Sequence, residues 1–138
     1  MAIFQKDLIG KHALVGSVAG NQYYFSLPTT PAGSQLPNQI DNQVIEEVYI
    51  SADTTLGDID LYLPAISTFN LAWNAKIYII CTNTSNTFTI YPYSSEDVAS
   101  NTINGFSFVT ATAPYDAWYL HIVSETMWMA LKCAGPAI

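Results

Sequence analysis

Asp58 and Asp60 stand two residues apart in "TTLGDIDLYLP", with Asp53 a few residues before them. Alternate residues of a strand share a face, so these acids could offer hard oxygen ligands to Ca²⁺. The same spacing suits a solvated strand edge whose charges discourage the addition of another strand, and this plainer reading is preferred. Glu46-Glu47 and Glu96-Asp97 are read in the same way. Of the two histidines, His12 and His121, the second lies mid-strand beside Tyr119, where a hydrogen-bonded structural imidazole is expected. Neither a C-x-x-C nor an H-x-x-x-H spacing occurs, so zinc is not expected. Nucleophilic catalysis needs Ser, Cys or Thr beside a base, and neither a G-x-S-x-G elbow nor a Cys-Gly motif is present. The residues assign no catalytic group, cofactor or metal, and the chain is not expected to be an enzyme.

The aromatic residues offer a different chemistry. Tyr62, Tyr91, Tyr93, Tyr115 and Trp118 could stack on sugar rings while nearby amides and acids bind the hydroxyls. Burial between subunits competes with that reading and is favoured, because interface cores are enriched in aromatics. Cys81 and Cys133 fall in apolar strand-like runs and are expected to be buried free thiols, as in a reducing compartment.

Strands must position these groups. From residue 44 onward, "VIEEVYIS", "DIDLYLP", "KIYIICTN", "TFTIYPY", "FSFVTAT", "AWYLHIVS" and "TMWMALK" are separated by breakers such as Asn83 to Asn86, Asn104-Gly105 and Pro114. Close spacing of this kind predicts an all-β domain, an antiparallel sandwich of jelly-roll-like type, over residues 44–138. "KIYIICTNTSNTFTIYPY" is expected to be a strand, a tight polar turn and a second strand. "AWYLHIVS" and "TMWMALK", joined by "SET", are expected to be a hairpin. Residues 1–43 read as an N-terminal arm, two short strands and a Pro-rich loop over 28–43. "FQKDLIGKH" and "AISTFNLAWNA" are the two places where a helical turn could form.

The composition bears on partners. Charged residues make up 11% of the 138 positions while hydrophobic ones make up 50%, against a usual charged share of about 25%. With four Lys, no Arg and a net charge of -7, the chain lacks the footprint of a nucleic-acid binder and is disfavoured at anionic membranes. No run approaches the ~20 apolar residues of a membrane-spanning helix. "MAIFQKDLIGKHALVG" mixes acid and base and does not read as a signal peptide.

Alternation poses the main question. In "KIYIICTN", Ile77, Ile79 and Cys81 alternate with Tyr78 and Ile80, so both faces of the strand are apolar. A sheet with one face in water should alternate apolar and polar residues instead. "AWYLHIVS" and "TMWMALK" share the property, so the second face needs a cover. Tyr78, Ile80, Tyr119, Val123 and Trp128 are the expected oligomer interface.

The stretch from Ala52-Asp53-Thr54-Thr55 and Leu63-Pro64, through Asn83-Thr84-Ser85, Thr89-Ile90 and Pro92, to Ile103-Asn104-Gly105 and Trp128 resembles a β-module of tailed-bacteriophage virion proteins. The likeness covers residues 50–132. Where that module usually has a glycine before its last strand, this chain has Ser124-Glu125-Thr126. The resemblance implies a homotrimer made in the host cytoplasm and placed on the capsid surface. There it would act as a head-decoration (cement) protein clamping neighbouring major capsid subunits. Phe4, Leu8, Pro28, Pro31, Gln35, Leu36 and Pro37, in the poorly patterned segments, would meet the capsid. The alternative it implies is a fibre tip whose exposed loops engage a host glycan.

Overall fold

In a computed structural model of the chain, residues 12–13, 16–19, 22–27, 34–35, 39–40, 43–44, 47–68, 75–94 and 100–133 are described. The described residues form fourteen strands: β1 (His12–Ala13), β2 (Gly16–Ala19), β3 (Gln22–Leu27), β4 (Ser34–Gln35), β5 (Gln39–Ile40), β6 (Gln43–Val44), β7 (Glu47–Asp53), β8 (Ile59–Tyr62), β9 (Lys76–Asn83), β10 (Phe88–Tyr91), β11 (Thr102–Ile103), β12 (Val109–Thr110), β13 (Asp116–Ile122) and β14 (Met127–Cys133). A short 3₁₀ turn at Ile66–Thr68 falls inside the segment expected to allow one. Apart from that turn the described residues are strands and their connections, consistent with the all-β expectation.

The strands make a seven-stranded sheet in the order β11-β14-β13-β9-β7-β3-β2, a five-stranded sheet in the order β1-β4-β8-β10-β12, and a small β5-β6 pair. Both larger sheets are mixed, which corrects the antiparallel expectation. β3, β7 and β9 are parallel neighbours in one sheet, and β4, β8 and β10 are parallel neighbours in the other. Between β3 and β10 the chain passes repeatedly from one large sheet to the other, so that β7 and β9 stack in turn on β3, and β8 and β10 on β4. β9 and β10, expected as consecutive arms around a tight turn, therefore lie in different sheets. The hairpin β13-β14 forms as expected, with Ile122 opposite Trp128 and Val123 N–H donating to the Met127 carbonyl at 3.1 Å. The Pro-rich stretch 28–43 contains β4 and β5, and β6 begins at its last residue. Sheet and core also run across the 43/44 division: β3 pairs with β7, and Phe25 and Leu27 are buried.

The core lies between the two large sheets because alternate residues of each point inward. Val48, Ile50 and Ala52 of β7, Ile77, Ile79 and Cys81 of β9, and Trp118 and Leu120 of β13 meet Ile59 and Leu61 of β8 and Phe88 and Ile90 of β10 in one cluster. Phe88 and Trp118 rings sit 6.2 Å apart. Successive passes are tied together at their turns. Thr54 is fully buried, and its Oγ1 lies 2.7 Å from the Asn83 carbonyl and 3.0 Å from that of Asn86. Asn86 Nδ2 in return donates to the Thr54 carbonyl at 2.6 Å.

The C-terminal half is fixed by different devices. Ile103 and Phe106 exchange both backbone hydrogen bonds around Asn104 (φ 54°) and Gly105 (φ 84°), the two left-handed residues that a type I′ turn requires. The Asn104 side chain then extends the ladder by donating to the Ala130 carbonyl and accepting from its N–H, both at 2.9 Å. Tyr115 takes φ 64° in the turn that delivers Asp116. The buried Asp116 carboxylate accepts from Thr112 N–H, Ala113 N–H and the Thr112 hydroxyl, and it pairs with Lys132 Nζ at 3.2 Å. Burial opposes that charge, but these donors outweigh it and hold the carboxyl down at about 2.

Candidate functional site: the outer face of the seven-stranded sheet

Strand register aligns the outward residues of the large sheet in rows that run across the strands. Tyr24, Tyr49, Tyr78, Tyr119 and Leu131 form one row. The next row holds Ser26, Ser51, Ile80, Ala117 and Cys133, and on the other side of the tyrosines stand Glu47, Lys76, His121 and Met129. In parallel, in-register strands, like stacks on like. The four tyrosine rings accordingly stand 5.1, 5.0 and 4.9 Å apart, with interplanar angles of 11°, 10° and 21°, within the range of favourable aromatic pairs.

Tall tyrosines beside small residues make a ridge next to a trough. An open cavity of about 770 Å³ follows that trough, bounded by both rows. Neither row contains an Asp, Glu, Lys, Arg or His. Tyr24, Ile80 and Leu131 remain 39%, 36% and 52% exposed, so no described element covers the face. At its border the Tyr49 hydroxyl donates to Glu47 Oε1. That bond, then burial, then the carboxylate's charge push the phenol up to about 12.

Of the expected interface residues, Tyr78, Ile80 and Tyr119 lie on this face, and Val123 is exposed just beyond β13. Trp128 is corrected: it is fully buried in the core, because its parity along β14 points it inward with Ala130 while Met129 and Leu131 point out. Cys81 is buried and free, with its thiol pushed up by burial, whereas Cys133 is exposed in the trough, which corrects the expectation for that residue. Gln35 lies in β4 with its backbone in register with Tyr62. Phe4, Leu8, Pro28, Pro31, Leu36 and Pro37 lie outside the described residues.

The acids are dispersed. Asp53 caps its own turn by accepting from the Thr55 N–H and hydroxyl, which lowers its pKa. Asp58 accepts from Thr87 N–H, and Asp60 sits in register with Thr89 on β10. Among the described residues no three His, Cys, Asp or Glu side chains gather as metal ligands would. His121 lies beside Tyr119, at 5.3 Å between rings; its buried Nδ1 has no hydrogen-bond partner among the described residues. The sugar-platform residues divide. Tyr62 and Tyr91 are stacked at 5.1 Å and share with Tyr93, Ser94, Ser100 and Asn101 a second cleft of about 280 Å³. Tyr115 is exposed elsewhere, and Trp118 is in the core.

Tyr24, Tyr49, Ser26, Ser51 and Leu131 were not anticipated as site residues. The signal for them is an internal echo. Tyr49-Ile50-Ser51-Ala52 followed by Ile59-Asp60-Leu61-Tyr62 returns at the same internal spacing as Tyr78-Ile79-Ile80-Cys81 followed by Phe88-Thr89-Ile90-Tyr91, and Tyr24-Phe25-Ser26-Leu27 precedes both. A period of about 25–30 residues marks stacked units. No family model, curated protein or solved structure matches the chain.

Proposed function

We propose that this protein is a structural virion component, a capsid decoration (cement) protein whose copies assemble as homotrimers and join neighbouring major capsid subunits. The observation that supports an assembling role is the outer face of the seven-stranded sheet. Parallel strands are normally covered on both sides, and here their outer side carries a stack of tyrosines beside a row of small residues, neither row holding an Asp, Glu, Lys, Arg or His. The two sheets around one core are read as a sandwich wound partly from parallel passes, in place of a jelly-roll order. The capsid decoration itself rests on the sequence resemblance, with Phe4, Leu8, Pro28, Pro31, Gln35, Leu36 and Pro37 as the proposed capsid contacts.

Adding purified protein to heads that lack it tests the role. A ligand that binds only the assembled shell stabilises it by linkage, so saturating protein should raise the temperature of DNA release, with hundreds of copies per head. A few copies per particle and an unchanged release temperature would refute the cement role.

The cleft of Tyr62, Tyr91 and Tyr93 favours a second reading, a fibre-tip module that holds a host glycan. In that case the purified protein would bind cell-surface glycan and block adsorption while leaving head stability unchanged.

A further inference from the structure

The two uncharged rows of this face need an occupant, and their shape narrows the choice. We infer that the occupant is a second copy of this chain, with the tyrosine ridge of one copy seated in the small-residue trough of the other. This deepens the assembling role proposed above and rests on it.

Three features carry the inference. The first is self-complementarity. Ridge and trough are adjacent rows of the same strands, about 7 Å apart at two residues of rise. A half-turn about an axis running between the rows carries each copy's ridge over the other's trough. A copy that gives its ridge to one neighbour and receives a ridge from another satisfies the same fit in a closed ring. At the ~10 Å separation of packed sheets, phenol hydroxyls at the crest reach the trough floor. There Ser26 and Ser51, with Oγ atoms 3.4 Å apart, supply hydroxyl partners for them.

The second feature is charge. A chain of net charge -7 repels its own copies, yet none of its eleven acidic residues lies in either row. Glu47 flanks the ridge, in register with Lys76, and the exposed Asp53 lies two residues beyond Ser51 on β7. The half-turn therefore brings Glu47 and Asp53 of the two copies near each other only at the rim, where their repulsion is screened by salt.

The third is size. Five strands about 4.8 Å apart and about seven residues long give a flat footprint of roughly 550 Å². With the added relief of the tyrosines, that is the lower end of stable interfaces, ~600 Å² per partner. A small-molecule ligand would leave most of the face in water.

The test is a swap of knob and hole in the full chain, read by sedimentation or mass photometry with circular dichroism as the folding control. Tyr49→Ala with Tyr78→Ala removes the ridge. Ser51→Trp fills the trough, and Ser26→Trp replaces it should that variant not fold. Each variant alone should associate about a hundredfold more weakly than the unaltered chain, as loss of central aromatic anchors does. Mixed together, they should recover a complex, because the filled trough of one takes the space left by the missing ridge of the other. High salt should preserve the native complex. A native chain that sediments at the single-chain mass of 15.1 kDa at micromolar concentration overturns both this inference and the assembling role. A native complex that survives in both variants, or variants that fail to recover on mixing, overturns the ridge-in-trough fit alone and leaves the assembling role standing.

Discussion

The two halves of the large sheet are held by different means. On the β3-β7-β9 side the strands are parallel, and each pass is secured by side chains at its turns, Thr54 with Asn83 and Asn86, and by tyrosines stacked on their own equivalents. On the β13-β14 side the pairing is local and antiparallel, backed by Trp128 in the core and by the Asp116–Lys132 pair. The comparison teaches where information about a sheet resides. A hairpin is specified by a few neighbouring residues, whereas a parallel stack is specified by agreement between distant ones.

Substitutions can break this contrast at either side. Trp128→Ala should cost most, about 3–5 kcal/mol, because it empties the largest fully buried site of the antiparallel half; chemical denaturation would measure it. Asp116→Ala should follow at about 2–3 kcal/mol, since it removes the charged acceptor from the part-buried amide donors of Thr112 and Ala113. Its pH dependence sharpens the point. The Asp116 carboxyl is depressed from 3.8 to about 2, so its contribution is present above pH ~4 and lost as the pH falls toward 2. Acid titration of stability should show a step in that window that is missing in the variant.

Thr54→Val should cost roughly 1–2 kcal/mol by leaving the Asn86 amide without its acceptor. Its effect should centre on the parallel half, with faster amide exchange in β9 than in β14. Tyr49→Phe should change stability least of these, but it should erase the phenol that ionises near pH 12. That group's raised value means its contribution is present below pH 10 and lost as the pH rises toward 12. An ultraviolet titration in which no tyrosine is delayed to that range would contradict the Tyr49–Glu47 bond.

The same contrast explains what could be read from the residues in advance. The β13-β14 hairpin was legible because two alternating runs flank the short Ser124-Glu125-Thr126 turn, and Ser124 Oγ accepting from Thr126 N–H serves where glycine was expected. β9 and β10 were misassigned because Asn83 to Asn86 looks locally like a hairpin turn. Only the echo of Tyr49–Tyr62 in Tyr78–Tyr91 reveals that the chain turns a corner between sheets. That the second face carries large aromatic and apolar side chains was legible from Tyr78 and Ile80. The trough was not, since it exists only when Ser26, Ser51 and Ala117 come into register from strands far apart in the chain. Trp128 was misplaced because its run has large residues at both parities, and only pairing with β13 decides which parity meets the core.

The stacked passes also bear on how such a chain can change its length. Each pass repeats a strand for one sheet, a corner and a strand for the other, and its upper and lower edges present the same backbone pattern to the next. Duplicating a whole pass, about 25–30 residues, would lengthen the tyrosine stack by one ring and keep every register intact. Inserting half as many would place a corner where a strand must pair. Gene-level insertions in this region should therefore be tolerated in whole-pass increments, so that the length of the exposed face is a quantity that evolution or design can count in discrete steps.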